Sequence, residues 1–160
     1  MKHSILLLFL LFFISSCGLI ISGSYPHSEN YTFDISREKL ITKIKEFKDR
    51  NHVYKVMTTF ENGERGELPD GMNPQDTSSV FYGCFFYIPS LQTTVNCVVN
   101  MSKEIPTSPT LIQLVGMTKS RNMGNWKRIN TKDLSKCENV QIKKAFESQI
   151  LTKLGNWKRN

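Results

Sequence analysis

The spacing of apolar residues predicts two amphipathic helices. Side chains recur at helical spacing in two segments: Leu40, Ile41, Ile44 and Phe47 in the first, and Ile142, Phe146, Ile150 and Leu154 in the second. Ser36 is a suitable N-cap for the first helix, and Gly155 is a suitable stop for the second. We therefore expect helices over residues 37–50 and 139–154.

The segments between these helices have the composition of strands. β-Branched and aromatic residues dominate 53–60, 79–88, 93–101 and 110–117, a shorter strand fits 125–129, and Tyr31 to Phe33 fit the start of an earlier one. Consecutive strands have no helix between them, which favours antiparallel pairing. The predicted fold is α+β: a small antiparallel sheet of three to five strands, with an N-terminal and a C-terminal helix packed on it.

The amino-terminal pattern differs from the rest of the chain. Lys2 precedes an unbroken apolar run over residues 5–14, which is shorter than the roughly 20 residues that a membrane-spanning helix needs. The run ends in Ile14-Ser15-Ser16-Cys17, which resembles the lipobox of bacterial lipoprotein signal peptides. The resemblance implies cleavage before Cys17, a diacylglyceryl group on its thiol, and a fatty acid such as palmitate on its new amino group.

This resemblance divides the chain into a signal peptide (1–16), a lipidated tether (17–33) and one α+β domain (34–160). It implies a lipid-anchored protein of the cell envelope, periplasmic or surface-exposed, with the outer membrane as the favoured location. Two alternatives remain open. The apolar stretch 5–21 could be an uncleaved signal anchor, or the segment could be an ordinary secretion signal.

Positive charge is concentrated in the last quarter of the chain. The protein has a net charge of +7, and residues 119–160 hold eleven Lys and Arg against three Asp and Glu. Residues 17–118 hold nine against eleven. This asymmetry favours an acidic protein or an anionic lipid surface as partner, and nucleic acid less so, although a solvated basic helix would also explain it.

A five-residue sequence, Gly-Asn-Trp-Lys-Arg, occurs twice in the basic quarter. One copy ends in Trp126, Lys127 and Arg128, and the other ends in Trp157, Lys158 and Arg159. These six residues are the candidate partner-binding residues, because Trp beside cations suits an anionic partner. The alternative is that each Gly bounds an element and each Trp packs on the domain.

The cysteines suggest one pairing. If Ile88 faces Thr93 in a hairpin, Cys84 faces Cys97, which predicts either a disulfide or two buried thiols and leaves Cys137 alone. No Cys or His spacing suggests a metal site, and we expect no cofactor.

No catalytic motif is present, so the favoured function is non-catalytic binding of a macromolecule, with an inhibitor or immunity-like role as one form of it. The alternative is an envelope hydrolase in which the polar 61–78 segment is a lid over Asp, Glu and His52.

Overall fold

The computed structural model describes residues 25–71, 81–100, 109–120 and 123–160. The eight strands are β1 Glu29–Phe33, β2 Met57–Thr59, β3 Arg65–Glu67, β4 Phe81–Ile88, β5 Thr93–Asn100, β6 Thr110–Thr118, β7 Lys127–Arg128 and β8 Trp157–Arg159. The helices are α1 Arg37–Arg50, α2 Lys136–Phe146 and α3 Thr152–Leu154, and a π-helical turn, Glu147–Leu151, joins the last two.

The architecture is α+β, as predicted. Six strands form one antiparallel sheet in the order β4-β5-β6-β1-β8, and β7 pairs with β6 at the end that β1 leaves free. The predicted register of the β4–β5 hairpin is confirmed, since Ile88 faces Thr93 and Cys84 faces Cys97. The main sheet is larger than the three to five strands expected, because the two- and three-residue strands β7 and β8 extend it.

Both helical segments pack on one face of this sheet, which we call the inner face. Phe86 of β4 lies between them, with its ring centroid 6.4 Å from that of Phe47 and 6.1 Å from that of Phe146. Tyr31 of β1 packs on Phe146 from the other side. Alternating residues of β4, β5 and β6 complete this core, so the inner face is fully buried.

The helix boundaries follow from their caps. Ser36 accepts a hydrogen bond from the Lys39 amide at 3.4 Å, as expected for an N-cap. The second helical segment begins at Lys136, three residues before the predicted start at 139, because Ser135 and Glu138 form a capping box. Its serine-x-x-glutamate signature was visible in the sequence.

Three predicted boundaries were wrong. Glu29–Phe33, within the segment expected to be tether, is a strand paired with β6 and β8, and it begins two residues before the predicted start at Tyr31. Residues 53–60 form a strand only over Met57–Thr59, because His52–Tyr54 is a 3₁₀ turn. The described part of the predicted 61–78 loop contains β3, which pairs with β2 in a separate hairpin.

Candidate functional site

The structure places the two Gly-Asn-Trp-Lys-Arg copies on opposite faces of the main sheet. In the first copy, the Trp126 ring lies 6.2 Å from the ring of Phe85, on the face away from the helices, which we call the outer face. In the second, the Trp157 ring packs edge-on against Tyr31 at 5.4 Å, on the inner face. The six residues therefore do not form one surface.

The first copy is exposed. Trp126 keeps 36% of its surface accessible, and Lys127 and Arg128 are also exposed. Gly116 of β6 allows this arrangement, since a Cβ there would lie 2.9 Å from the carbonyl oxygen of Lys127. We call Trp126, Lys127 and Arg128 the partner surface.

The second copy is held within the domain. Arg159 donates to Glu147 and lies 3.5 Å from Glu29, so its charge is compensated. Glu147 also accepts from the Tyr31 hydroxyl at 3.0 Å, which ties β8 and β1 to the π-helical turn. Trp157 and Arg159 therefore pack on the domain, which was the alternative to partner binding for this motif.

Most cations of the basic quarter are not neutralised by the residues that the structure describes. Among the described residues of this quarter, Lys143 and Arg159 alone form ion pairs, both with carboxylates of the domain. Eight other cations of this quarter have no ion pair with a described residue: Lys119, Lys127, Arg128, Lys132, Lys136, Lys144, Lys153 and Lys158. They are spread over β7, β8, the helical segment and the connections between elements, and two of them, Lys119 and Lys127, line the same cleft.

One carboxylate lies between those two lysines. Lys119, Lys127 and Glu138 line a cleft of about 260 Å³ beside β7. Hydrogen bonds from the backbone and side chain of Ser135 lower the pKa of Glu138, and the charges of Lys127 and Lys119 lower it further. Glu138 is therefore ionised at neutral pH, and this end of the partner surface presents both signs of charge.

Glu29 of β1 accepts bonds from several elements of the domain. It accepts hydrogen bonds from Lys143 at 3.1 Å and from Asn130 at 2.9 Å. Burial raises the pKa of Glu29, but these hydrogen bonds and the charges of Lys143 and Arg159 outweigh burial and leave its pKa below the usual range. The carboxylate joins β1, β8 and α2, which is a structural role.

The structure records Cys84, Cys97 and Cys137 as free thiols, so the predicted disulfide is not formed in it. Cys84 and Cys97 are fully buried in the core, whereas Cys137 is exposed. Burial raises the pKa of the Cys97 thiol well above its usual range, and a hydrogen bond with Cys84 adds to the effect. The Cys97 thiol is therefore protonated and unreactive in this state.

A buried ion pair beside these cysteines was not anticipated. The Lys48 ammonium lies 2.6 Å and 2.5 Å from the two carboxylate oxygens of Asp70, and the two side chains are only 5% and 10% exposed. The ammonium also lies 4.7 Å from the centre of the Phe86 ring. One signal was available: Lys48 follows Ile44 by four residues, on the apolar stripe of α1.

The hydrolase alternative gains no support from the described residues. His52 is exposed in its 3₁₀ turn, and no hydrogen bond or ion pair joins its imidazole to another described residue. No group of three His, Cys, Asp or Glu side chains that could hold a metal ion occurs within 25–71, 81–100, 109–120 and 123–160.

The lipobox and Cys17 lie outside the described residues. Within the part of the chain that is described, no helix is long and apolar enough to cross a membrane. No family model, no curated protein and no solved structure matches the chain.

Proposed function

We propose that the chain is a lipid-anchored lipoprotein of the cell envelope whose α+β domain binds an acidic protein without catalysing a reaction. The anchor rests on the sequence Ile14-Ser15-Ser16-Cys17 and the short apolar run before it. An inhibitor or immunity-like role is one form of such binding, and the outer membrane is the favoured location.

The observation that carries the binding proposal is the partner surface. Trp126 is exposed beside two cations that have no ion pair with a described residue. Trp and Arg are enriched among the residues that contribute most to protein interfaces, because each provides a large contact area together with a polar group. An acidic protein face would neutralise Lys127 and Arg128 while covering the Trp126 ring.

An acidic protein suits this surface better than an anionic bilayer. Attraction to a bilayer grows with the number of cations near it, at about 1 kcal/mol for each, and the partner surface has only two. The ionised Glu138 beside Lys127 would oppose lipid phosphates. A protein partner can match both signs of charge, which gives specificity and steers association.

The test compares two charge reversals of equal size. The full chain is crosslinked in producing cells, solubilised and captured, and the captured protein is identified, purified and titrated back. We expect Lys127→Glu with Arg128→Glu to weaken binding of an acidic protein at least tenfold, an effect of about 1.4 kcal/mol or more. The control, Lys144→Glu with Lys153→Glu, changes two exposed lysines of the helical segment and should bind as the wild type does.

Three outcomes of this comparison would contradict the binding proposal. Equal losses in both double variants would show that net charge, and not the partner surface, governs binding. Retention of an acidic partner by the Lys127 and Arg128 variant would remove the surface from the proposal. Binding only to vesicles rich in phosphatidylglycerol, with no protein partner, would replace the acidic protein by the membrane.

A further inference from the structure

A second cleft lies on the outer face, apart from the partner surface. It measures about 550 Å³, within the range of small-molecule sites, which is roughly 300–1,000 Å³. Its floor is one row of cross-strand neighbours, Tyr87 of β4, Thr94 of β5 and Thr118 of β6. The β2–β3 hairpin forms one wall, and Lys119, Ser120 and Met123 form the other.

The cleft is positive. Lys55, Arg65 and Lys119 line it, and no Asp or Glu is among the described residues that do. Lys55 already forms two ion pairs, with its ammonium 2.9 Å from a Glu67 carboxylate oxygen and 3.2 Å from one of Asp49. Arg65 and Lys119 are exposed, on opposite walls, and neither has an ion pair with a described residue.

Two threonines supply hydrogen-bonding capacity that the domain does not use. Thr58 and Thr94 are only 6% and 7% exposed, and both line the cleft. Neither hydroxyl has a hydrogen-bond partner among the described residues, whereas the Thr118 hydroxyl donates to the Gly124 carbonyl at 2.5 Å. Neither hydroxyl oxygen is among the fully buried polar atoms without a partner, so the small exposed part of each side chain includes its hydroxyl, which is open to an occupant of the cleft.

The apolar side chains that line the cleft favour a ligand with an organic group. Met57, Met123 and the Tyr87 ring provide apolar surface beside the polar groups. Met123 lines the cleft and adopts a left-handed conformation with φ 56°, which is uncommon for a bulky residue. A compact organic group would pack against these side chains.

We propose that this cleft binds a small molecule that has an oxyanion, a phosphate, sulfate or carboxylate, on a compact organic body. Arg65 and Lys119 neutralise the oxyanion from the two walls, and the hydroxyls of Thr58 and Thr94 donate hydrogen bonds to its oxygens. Hydrogen bonds to a charged group contribute more than neutral ones, which favours an anion over a neutral ligand at these threonines.

The experiment titrates the full chain, in a non-ionic detergent at fixed ionic strength, with sn-glycerol 3-phosphate, and follows heat and thermal stability. We expect saturable binding that Arg65→Gln and Thr94→Val each weaken roughly tenfold, since each removes one interaction with the anion. Lys144→Gln, which removes an exposed cation outside the cleft, should leave the affinity unchanged. Thr58→Val tests the second hydroxyl if Thr94→Val lowers the yield of folded protein.

Two further arms separate the sources of the anion. Inorganic phosphate tests the oxyanion without its organic body, and we expect it to bind more weakly at the same residues. Vesicles containing phosphatidylglycerol test a lipid headgroup: binding that Thr94→Val abolishes would support the cleft with a lipid as its ligand. Absence of saturable binding in every arm, or equal weakening by Lys144→Gln, would overturn the proposal.

Ligand binding in the cleft can be tested separately from binding of the acidic protein. Lys127→Glu with Arg128→Glu leaves every residue of this cleft in place, so it should retain glycerol phosphate binding. Conversely, Arg65→Gln should retain capture of the acidic protein. Failure of one proposal therefore leaves the other standing.

Discussion

Lys48 and Asp70 are the clearest case in which one residue pair decides local structure. Asp70 accepts from the Lys48 ammonium and, through one oxygen, from the Phe85 amide at 3.0 Å. It thus joins α1 to the edge of β4 that faces away from β5. At this edge Gly71 and Gly83 exchange two backbone hydrogen bonds of 2.9 Å. Neither charge could be buried alone, because desolvation would cost several kcal/mol for each ion.

The first prediction concerns this pair. Lys48→Met should lower the free energy of unfolding by about 3–5 kcal/mol, because it leaves the Asp70 carboxylate buried without its counter-charge. Lys48→Met combined with Asp70→Asn should lose less than the sum of the single changes, since the amide oxygen can still accept from Phe85. Equilibrium unfolding in urea measures all three variants.

The exposed pair Arg50–Glu46 on the same helix provides the control. Arg50→Gln should cost about 0.5 kcal/mol or less, as is usual for solvent-exposed pairs four residues apart on a helix. Strict additivity of the two buried substitutions would contradict the view that the charges depend on each other.

At the scale of elements, the caps explain where the helices begin. At Ser135 the capping is reciprocal: its hydroxyl accepts from the Glu138 amide at 3.2 Å, and the Glu138 carboxylate accepts from the Ser135 amide at 2.9 Å. At Ser36 the hydroxyl makes one longer bond of 3.4 Å. The second helical segment therefore depends more on its cap than α1 does.

The second prediction follows from this difference. Ser135→Ala should lower the free energy of unfolding by about 1 kcal/mol, because it leaves backbone donors of the first turn without an acceptor. Ser36→Ala should cost less, because its single bond is long. Thermal unfolding of both variants gives the comparison, and an equal or larger loss at Ser36 would show that the capping box contributes nothing extra.

At the scale of the whole molecule, the helices leave one face of the main sheet uncovered. Trp126 of the partner surface and the 550 Å³ cleft both lie on this outer face. The helices bury the inner face, so any partner or ligand has the outer face and the edges to bind. Lipid on Cys17 would hold this domain close to the membrane.

The third prediction tests that anchor. Cys17→Ala should release the full chain from membranes and change its mass, because the thiol that accepts the lipid is gone and each buried CH₂ contributes about 0.8 kcal/mol to anchoring. Cys137→Ala should remain in the membrane fraction with an unchanged lipid mass. Unchanged membrane retention of Cys17→Ala would instead indicate an uncleaved apolar segment over residues 5–21.

Periodicity and composition predicted the class of the fold, the extent of α1 and the register of the β4–β5 hairpin. These features depend on neighbours within one helix turn or one hairpin, so local sequence contains the information. β3 and β8 were missed because each has only three residues, which is too short for an alternating pattern to show.

The binding residues could be predicted only in part. The repeated Gly-Asn-Trp-Lys-Arg motif drew attention to Trp126, Lys127 and Arg128. Trp157 and Arg159 have the same sequence neighbours, but they lie in a different environment. β7 is placed by pairing with β6 and β8 by pairing with β1, and the two pairings turn the Trp side chains to opposite faces. The cleft had no sequence signal, because Arg65, Thr94 and Lys119 come from three separate elements.

By itself the sequence determined the short amino-terminal apolar run with its lipobox-like end, the uneven charge, the two amphipathic helices and the antiparallel hairpin. The tertiary structure decided which cations stay unpaired, that Lys48 and Asp70 share a buried site, and that one Trp is exposed while its counterpart packs on Tyr31. The reason is physical: helix and strand periodicity act over a few residues, whereas burial and charge pairing depend on which distant segments pack together.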